Sequence, residues 1–287
     1  MQIKKLTLTS DDFPEALRNI PSPPRQLYCC GASLDELLAQ PRVAIVGSRG
    51  PTAYGTQVTA QLAGELAEEG VVIVSGLALG IDALAHQAAL EVDGLAIAVL
   101  PGPVDKIYPR TNQRLGEEIL AKGGALVSEY DSGEISYKQN FIARNRLVAG
   151  LAQAVVIPEA AEKSGSLHTA RFAMEQGKDV LVVPGNITSP TSVGTNNLLK
   201  SGASPVTSYL DVLHALKLTG ADAPVRQVRG RNANEQNILD LMLTGVSDGE
   251  ELLTKSRLST SHFNQALTML EIGGKIRPLG ANHWSIR

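Results

Sequence analysis

Val43-Ala44-Ile45-Val46-Gly47-Ser48-Arg49 is the stretch that decides how this chain is read. Four apolar residues, three of them β-branched, predict a short strand buried on both faces. Gly47 lets the backbone turn sharply, and Ser48 and Arg49 emerge just past the strand's end. In an open parallel sheet, ligands sit in the crevice outside the carboxyl ends of the strands. An arginine placed there suits a phosphate, because its planar fork of donors matches phosphate oxygens. The plain alternative is a solvent-exposed arginine on a tight turn. The rest of the chain has to decide between them.

Working outward, a strand–helix alternation runs from Val43 towards residue 218. Apolar runs predict strands at Val43–Val46, Val71–Val74, Leu95–Leu100, Ala125–Ser128, Ala154–Pro158 and Val180–Val183. Helical periodicity separates them at Thr56–Glu69, Ile81–Leu90, Asn112–Lys122, Phe141–Leu151 and Ser166–Gln176. Such alternation, with wholly apolar strands, predicts an α/β fold: a parallel sheet with helices on both faces. Parallel strands share a direction, so the loops that follow them share one edge. Those loops read Gly47-Ser48-Arg49, Ser75-Gly76 to Gly80, Pro101-Gly102-Pro103, Glu159 to Ser164-Gly165-Ser166, and Pro184-Gly185-Asn186. Repeated glycine turns let backbone amides and helix N-termini approach a ligand, and anions favour that end of a helix.

Composition narrows the ligand. The 287 residues suffice for one large α/β domain and a small one, and 43% hydrophobic with 19% charged residues is ordinary for a globular protein. No apolar run is long enough to span a bilayer, and Met1–Ser10 lacks a signal peptide's apolar core. The only cysteines, Cys29 and Cys30, are adjacent, and no Cys/His metal spacing exists. The expectation is a cytoplasmic protein without metal or cofactor. A net charge of −3 argues against a uniformly basic coat but not against a local basic groove. Ile135–Pro158 contains Lys138, Arg144 and Arg146 and no acid. Gly50-Pro51-Thr52-Ala53-Tyr54-Gly55-Thr56 has P-loop glycine spacing but threonine in place of the lysine, which argues against triphosphate hydrolysis. No G-x-G-x-x-G follows the first strand, so a dinucleotide is not indicated.

Together these motifs resemble one family, the DNA-processing protein A family (DprA, also called Smf). The matching residues are VAIVGSR at Val43–Arg49, SGLALGIDALAH at Ser75–His86 and LPGPVDKIYPRTN at Leu100–Asn112. They continue with Ser128-Glu129-Tyr130, NFIARNRLVAG at Asn140–Gly150, SGSLHTA at Ser164–Ala170, and Pro184-Gly185. The resemblance implies an extended Rossmann-like domain, at residues 41–218, that forms a homodimer and binds single-stranded DNA. It also implies that the protein loads the RecA recombinase on that strand during natural transformation and recombination. Residues 1–40 read as a short lead-in packed on this domain, too short for the helical N-terminal domain of many relatives. Phe141-Ile142 replaces the more usual Phe-Pro, and Pro103 a usual glycine.

The expected DNA contacts are Gly47, Ser48, Arg49, Gly76, Gly80, Lys138, Phe141, Arg144, Asn145, Arg146, Ser164, Gly165 and Ser166. Arg49, Lys138, Arg144 and Arg146 are taken as backbone phosphate ligands; the alternative for the helical ones is a solvated face, though such faces usually mix charge signs. Phe141 is open between stacking on a base, worth ~1–3 kcal/mol, and packing in the core. Ser164, Gly165 and Ser166 start a helix and offer amides and hydroxyls to one phosphate. Asp82 and His86, four apart on one helix, admit an acid/base reading, but a capping Asp82 paired with His86 is preferred. His168 could reach the same pocket.

An enzyme is the alternative. The fold resembles that of the nucleoside-monophosphate phosphoribohydrolases, whose glycine-rich loop precedes a glutamate needed for glycosidic cleavage. Here Thr169 stands about where that carboxylate belongs, with Glu159 or Glu129 as conceivable substitutes, so a non-enzymatic binder is preferred.

Composition shifts at Thr219–Pro224, and Arg226, Arg229 and Arg231 follow in a linker at 219–231. Residues 232–287 predict helices at Glu235–Leu243, Gly249–Ser256 and Thr260–Ile272, the last capped by Ser259, then a hairpin from Lys275–Pro278 and His283–Arg287. That pattern implies a small winged-helix domain, as in many family members. Its third helix exposes no Lys or Arg, although Lys275, Arg277 and Arg287 lie nearby in sequence. Protein interaction and auxiliary DNA contact are both open for it.

Overall fold

The computed structural model describes residues 3–218, 230, 232–273, 275–280 and 282–286. Two compact units divide at residues 225 and 226. In the first, the elements are β1 (Ile3–Thr7), α1 (Glu15–Arg18), β2 (Gln26–Gly31), α2 (Leu34–Leu38), β3 (Arg42–Ile45) and α3 (Ala53–Glu68). There follow β4 (Val72–Ser75), α4 (Ile81–Glu91), β5 (Ala96–Val99), α5 (Gln113–Ala121), β6 (Ala125–Ser128) and α6 (Lys138–Leu151). The unit closes with β7 (Ala154–Ile157), α7 (Ser166–Glu175), β8 (Asp179–Val182), α8 (Val193–Lys200), β9 (Ser204–Pro205) and α9 (Tyr209–Ala215).

The sheet has nine strands in the order β1-β2-β6-β5-β4-β3-β7-β8-β9. From β6 to β9 every pairing is parallel, with Val43 of β3 opposite Ile73 of β4 and Ala154 of β7. The chain winds outward from β3 through β4, β5 and β6, then returns along α6 to place β7 on the other side of β3. The strand order therefore reverses between β3 and β7, which is where an open α/β sheet leaves its ligand crevice.

Side-chain alternation on these strands feeds two cores. Ala44, Val74, Val127 and Val155 face one side, where Leu147, Val148 and Leu151 of α6 and Ala170 and Ala173 of α7 cover them. Val43, Ile45, Ile73 and Val156 face the other, under Leu62 and Leu66 of α3 and Ala85 and Ala89 of α4. A satellite cluster around Leu90, Ile119 and Leu126 continues that second layer beneath α5. Such two-sided burial is why the strands read as unbroken apolar runs. The α/β sheet with helices on both faces is thus observed.

Residues 1–40 are more than a lead-in. β1 and β2 extend the sheet: β2 pairs antiparallel with β6, Cys29 opposite Val127, and β1 pairs antiparallel with β2. Lys4 and Lys5 on β1 keep this outermost strand charged, a common protection of an open edge. β9, α8 and α9 complete the opposite side after the last anticipated strand.

The second unit comprises α10 (Ala233–Leu243), α11 (Gly249–Ser256), α12 (Thr260–Ile272), β10 (Ile276–Gly280) and β11 (His283–Ile286). Its core gathers Ile238, Leu239, Leu252, Phe263, Leu270 and Ile276. Ser259 caps α12 by accepting from the His262 amide, as expected. β10 and β11 form the antiparallel hairpin. Of the linker expected at 219–231 only Gly230 is among the described residues, so Arg226, Arg229 and Arg231, like Arg287, lie outside the description.

Candidate functional site

Beyond Ile45 the chain leaves the sheet between two neighbours that fix its path. The Ser48 amide donates to the Glu159 carbonyl after β7 (2.9 Å), and the Ser48 carbonyl accepts from the Ile81 amide at the start of α4 (3.1 Å). A Cβ on Gly47 would lie 2.7 Å from the Glu159 carbonyl, so only glycine fits. Gly80 has φ +79, and a side chain there would press within 2.8 Å of the Arg49 Cα. The turn is held from both sides, and the Arg49 side chain is left exposed.

The P-loop-like segment is occupied in a different way. Thr52 caps α3, and its amide and hydroxyl both donate to the Glu159 carboxylate (2.9 and 3.2 Å). An internal carboxylate, 2% exposed, satisfies the helix start that a P-loop offers to phosphate. That agrees with the missing lysine.

A cleft of about 530 Å³ opens at the carboxyl edge between β3 and β7. Its lining includes Gly47, Ser48, Arg49, Asp82, Phe141, Arg144, Asn145, Lys163, Ser164, Gly165, Ser166 and Thr169. A smaller hollow of about 70 Å³ joins Gly76 to Leu79, Tyr108, Phe141 and Arg144. The Arg49 guanidinium stands 5.7 Å from the Phe141 ring centroid, and Tyr108 meets that ring edge-on at 5.5 Å. Phe141 is half-buried, with one aromatic neighbour and one cationic neighbour. Ser164 and Ser166 share a hydroxyl hydrogen bond of 2.8 Å at the start of α7, whose first turn carries no acid. Asn145 ties α6 to this loop through the Gly165 carbonyl (3.3 Å).

The cations expected to act alike are placed in different settings. Arg49, Lys138 and Lys163 are exposed and carry no ion pair among the described residues. Arg144 is only 4% exposed; it donates to the Gly76 carbonyl (2.5 Å) and to the Val99 carbonyl. Burial pushes its guanidinium down to about 10, with Asp82 opposing and Arg49 adding to the shift. Arg146 is away from the cleft, in a two-bonded ion pair with Glu129 at 2.6 and 2.5 Å. The acid-free island therefore draws its acid from the end of β6, and Arg146, unlike Arg49 and Arg144, does not line the cleft. Gly80 likewise shapes the turn from behind without lining the cleft.

The expected Asp82–His86 pair is also corrected. Asp82 accepts instead from the Gly76 amide (3.1 Å); burial raises its carboxyl, while Arg144 and the backbone of Ala78, Gly76 and Gly47 oppose the rise. His86 is fully buried with neither ring nitrogen hydrogen-bonded. Burial, then the Arg144 charge, pushes it down to about 3, so it is neutral in the folded protein. His168 does not line the cleft. Thr169 does, 1% exposed.

Sequence reasoning missed Lys163, although it directly precedes Ser164-Gly165-Ser166. It also missed an apolar rim. Leu79, Tyr108, Ile135, Tyr137 and Ile142 are all exposed, and all belong to loops or a helix start at this one edge. Among the described residues no group of acids, histidines and cysteines could hold a metal, and no helix is long and apolar enough to cross a membrane.

Comparison with known proteins gives the same grouping. The chain is 44% identical over 214 residues to Protein Smf of Synechocystis sp., covering 74% of this chain and 53% of that one. It therefore spans about half the length of that relative. DNA processing protein DprA of Bacillus subtilis is 39% identical over 214 residues, covering 75% of this chain and 71% of that protein. DNA processing protein A of Helicobacter pylori, whose structure addresses its single-stranded DNA binding mode, superposes with a TM-score of 0.67 at 40% identity. That superposition covers 75% of this chain and 96% of the other. The family described as DNA recombination-mediator protein A matches residues 4–217, nearly the whole first unit, and the chain belongs to that family.

Proposed function

We propose that the cleft at the β3/β7 switch point binds the backbone of single-stranded DNA without sequence preference. One observation carries this: Arg49 and Lys163, exposed and without an ion pair among the described residues, line the cleft with donors from Ser48, Ser164, Gly165 and Ser166, beside the half-buried Phe141, and exposed Lys138 lies one helical turn before that ring. Cations and amides position a phosphate backbone but read no sequence. An aromatic ring accepts any base, since every base has a π-face. The likeness to the Helicobacter pylori protein supports the same assignment. We further infer that the bound strand is handed to the RecA recombinase in DNA uptake and recombination, that the protein acts in the cytoplasm as a homodimer, and that the second unit works as a winged helix in protein or auxiliary DNA contact.

The hydrolase reading finds less support. Among the described lining residues the one carboxylate is Asp82, already engaged by backbone amides and facing Arg144. Glycosidic cleavage uses a pair of carboxyl groups free to move protons.

The test is a salt titration of binding to labelled oligo-dT and to a duplex of equal length, with Arg49→Glu alongside. Tighter binding of the single strand and clear weakening by Arg49→Glu are expected. Parent-like binding by the variant would show that the strand lies elsewhere. Release of free base from nucleoside monophosphates would replace the binder with the hydrolase. For the hand-over, RecA strand exchange on strands coated with single-strand-binding protein should need the added protein, and indifference to it would remove that step.

A further inference from the structure

We propose that Arg144 is a positioning residue and not a phosphate ligand: from α6 it clamps the Gly76 peptide against Asp82 and so sets the floor of the DNA cleft. The inference rests on the DNA-binding reading above and assigns a different task to a residue that, by its charge, looks like a ligand.

The geometry is that of a single peptide group held at both ends. The Gly76 carbonyl accepts from the Arg144 guanidinium (2.5 Å), and the Gly76 amide donates to the Asp82 carboxylate (3.1 Å). The same guanidinium nitrogen also donates to the Val99 carbonyl. One side chain on α6 thereby fastens the carboxyl ends of β4 and β5. Gly76 has to be glycine, since a Cβ there would overlap the guanidinium. The next residue, Asn145, accepts from Arg144 Nε (3.2 Å) and donates to the Gly165 carbonyl after β7. Two consecutive residues thus tie the helix to three of the loops that enclose the cleft.

Charge points the same way. Arg144 is 4% exposed and Asp82 6% exposed, and each lies in the other's field. A phosphate drawn to Arg144 would find Nη1 and Nε already engaged, with Nη2 left to it, and would approach a buried carboxylate of its own sign. Buried arginine donors already used by backbone acceptors gain little from another anion, whereas leaving those acceptors unpaired is costly. The cations that face solvent are Arg49, Lys138 and Lys163. Phe141 lies one helical turn before Arg144, so the clamp also sets where that ring meets Arg49 and Tyr108.

A ligand and a clamp both weaken binding when removed, but they differ in salt dependence. Each phosphate neutralised on a single strand contributes about −0.7 to the slope of log K against log salt. The experiment measures oligo-dT affinity across a salt series for the parent, Arg144→Gln, Gly76→Ala and Arg49→Gln. Active-site titration at high protein concentration gives the binding-competent fraction of each. Gly76→Ala disturbs the clamp without altering any charge, and it carries the test where Arg144→Gln fails to fold. The expected result is that both clamp variants lose roughly tenfold in affinity, keep the parent slope and bind at full stoichiometry. Arg49→Gln should lose about 0.7 of slope. A slope loss in Arg144→Gln equal to that of Arg49→Gln would overturn the proposal, as would parent-like affinity in the clamp variants. So would a fall in stoichiometry at unchanged affinity, which marks a merely structural role. If Arg49→Gln changes neither affinity nor slope, the DNA reading of the cleft fails first, and the clamp loses its purpose with it.

Discussion

Replacing Arg146 by alanine should cost the first unit stability and leave DNA binding alone. The guanidinium makes two bonds to Glu129, at 2.6 and 2.5 Å, and a third from Nε to the Ser22 carbonyl at 2.8 Å. The side chains of the pair are 13% and 16% exposed, so water screens them only in part. Breaking a fully buried pair by removing one partner costs about 3–5 kcal/mol, because the remaining charge is buried without compensation. Allowing for the residual exposure, Arg146→Ala should cost about 2–4 kcal/mol. A unit of this size loses roughly 2–4 °C of melting temperature per kcal/mol. The melting temperature followed by circular dichroism should therefore drop by about 4–16 °C. Removing both charges in Arg146→Met with Glu129→Leu should restore most of the loss, since no charge is then stranded. A melting temperature for Arg146→Ala within about 1 °C of the parent would refute the assignment. A shallower salt slope for oligo-dT in that variant would refute it equally, by returning Arg146 to the DNA.

Two glycines that look alike in sequence should separate. Gly80→Ala, at φ +79 with its Cβ against the Arg49 backbone, should lower the melting temperature, while Gly165→Ala, with nothing within 4 Å, should leave it unchanged and weaken only oligo-dT binding; equal melting shifts would contradict the placement. Lys178 donates to the carbonyls of Ala149, Gly150 and Ala152, and burial followed by the Arg42 charge pushes it down to about 8 from 10.5. Between those values the unfolded chain holds a proton that the folded chain has released, so stability rises with pH from about 8 to 10.5. Urea unfolding across that window should show the rise flattened in Lys178→Met, and parallel curves would exclude it. His86, pushed down to about 3 from 6.5, makes stability fall as pH drops from 6.5 towards 3, because only the unfolded chain takes up the proton readily. His86→Leu should lessen that acid loss; an unchanged fall would place its cause in other groups.

The parts of this fold that could be read in advance are those where one residue type answers to one environment. β3, β5 and β7 are buried on both faces, so their apolar runs carry little ambiguity, and Gly47 after β3 and Gly102 after β5 mark close approaches. β1 and β2 gave no such signal. Their antiparallel edge position tolerates Lys4 and Lys5 and needs no crossover helix, so nothing in the local pattern separates them from a lead-in. α8 reads Val193-Gly194-Thr195-Asn196-Asn197 at its start, and polar side chains bonded to nearby loops hide its periodicity. At the site, residue type was legible and residue task was not. Arg49, Arg144 and Arg146 share a charge and two share a helix, yet one faces solvent, one clamps a peptide and one pairs with Glu129. Those fates depend on partners far away in sequence, so no local spacing could assign them. The i, i+4 spacing of Asp82 and His86 misled for a related reason: the Gly76 amide, brought in by the turn after β4, is the partner that Asp82 takes.

The different settings of the arginines limit what the cleft can hold. At its floor Arg144 lies in the field of Asp82, while Arg49 and Lys163 line the cleft, exposed and without an ion pair among the described residues. A free mononucleotide would carry its dianion to a floor that offers hydroxyls and amides but no unopposed cation. On the proposed reading, an extended strand would meet Arg49, Lys138 and Lys163 with a different phosphate each and collect counterion release from all three. Three such contacts correspond to a salt slope of about −2, so doubling the salt should weaken binding about fourfold. Cations at the rim and neutralised charge beneath them favour a polymer over its monomer without any group reading a base.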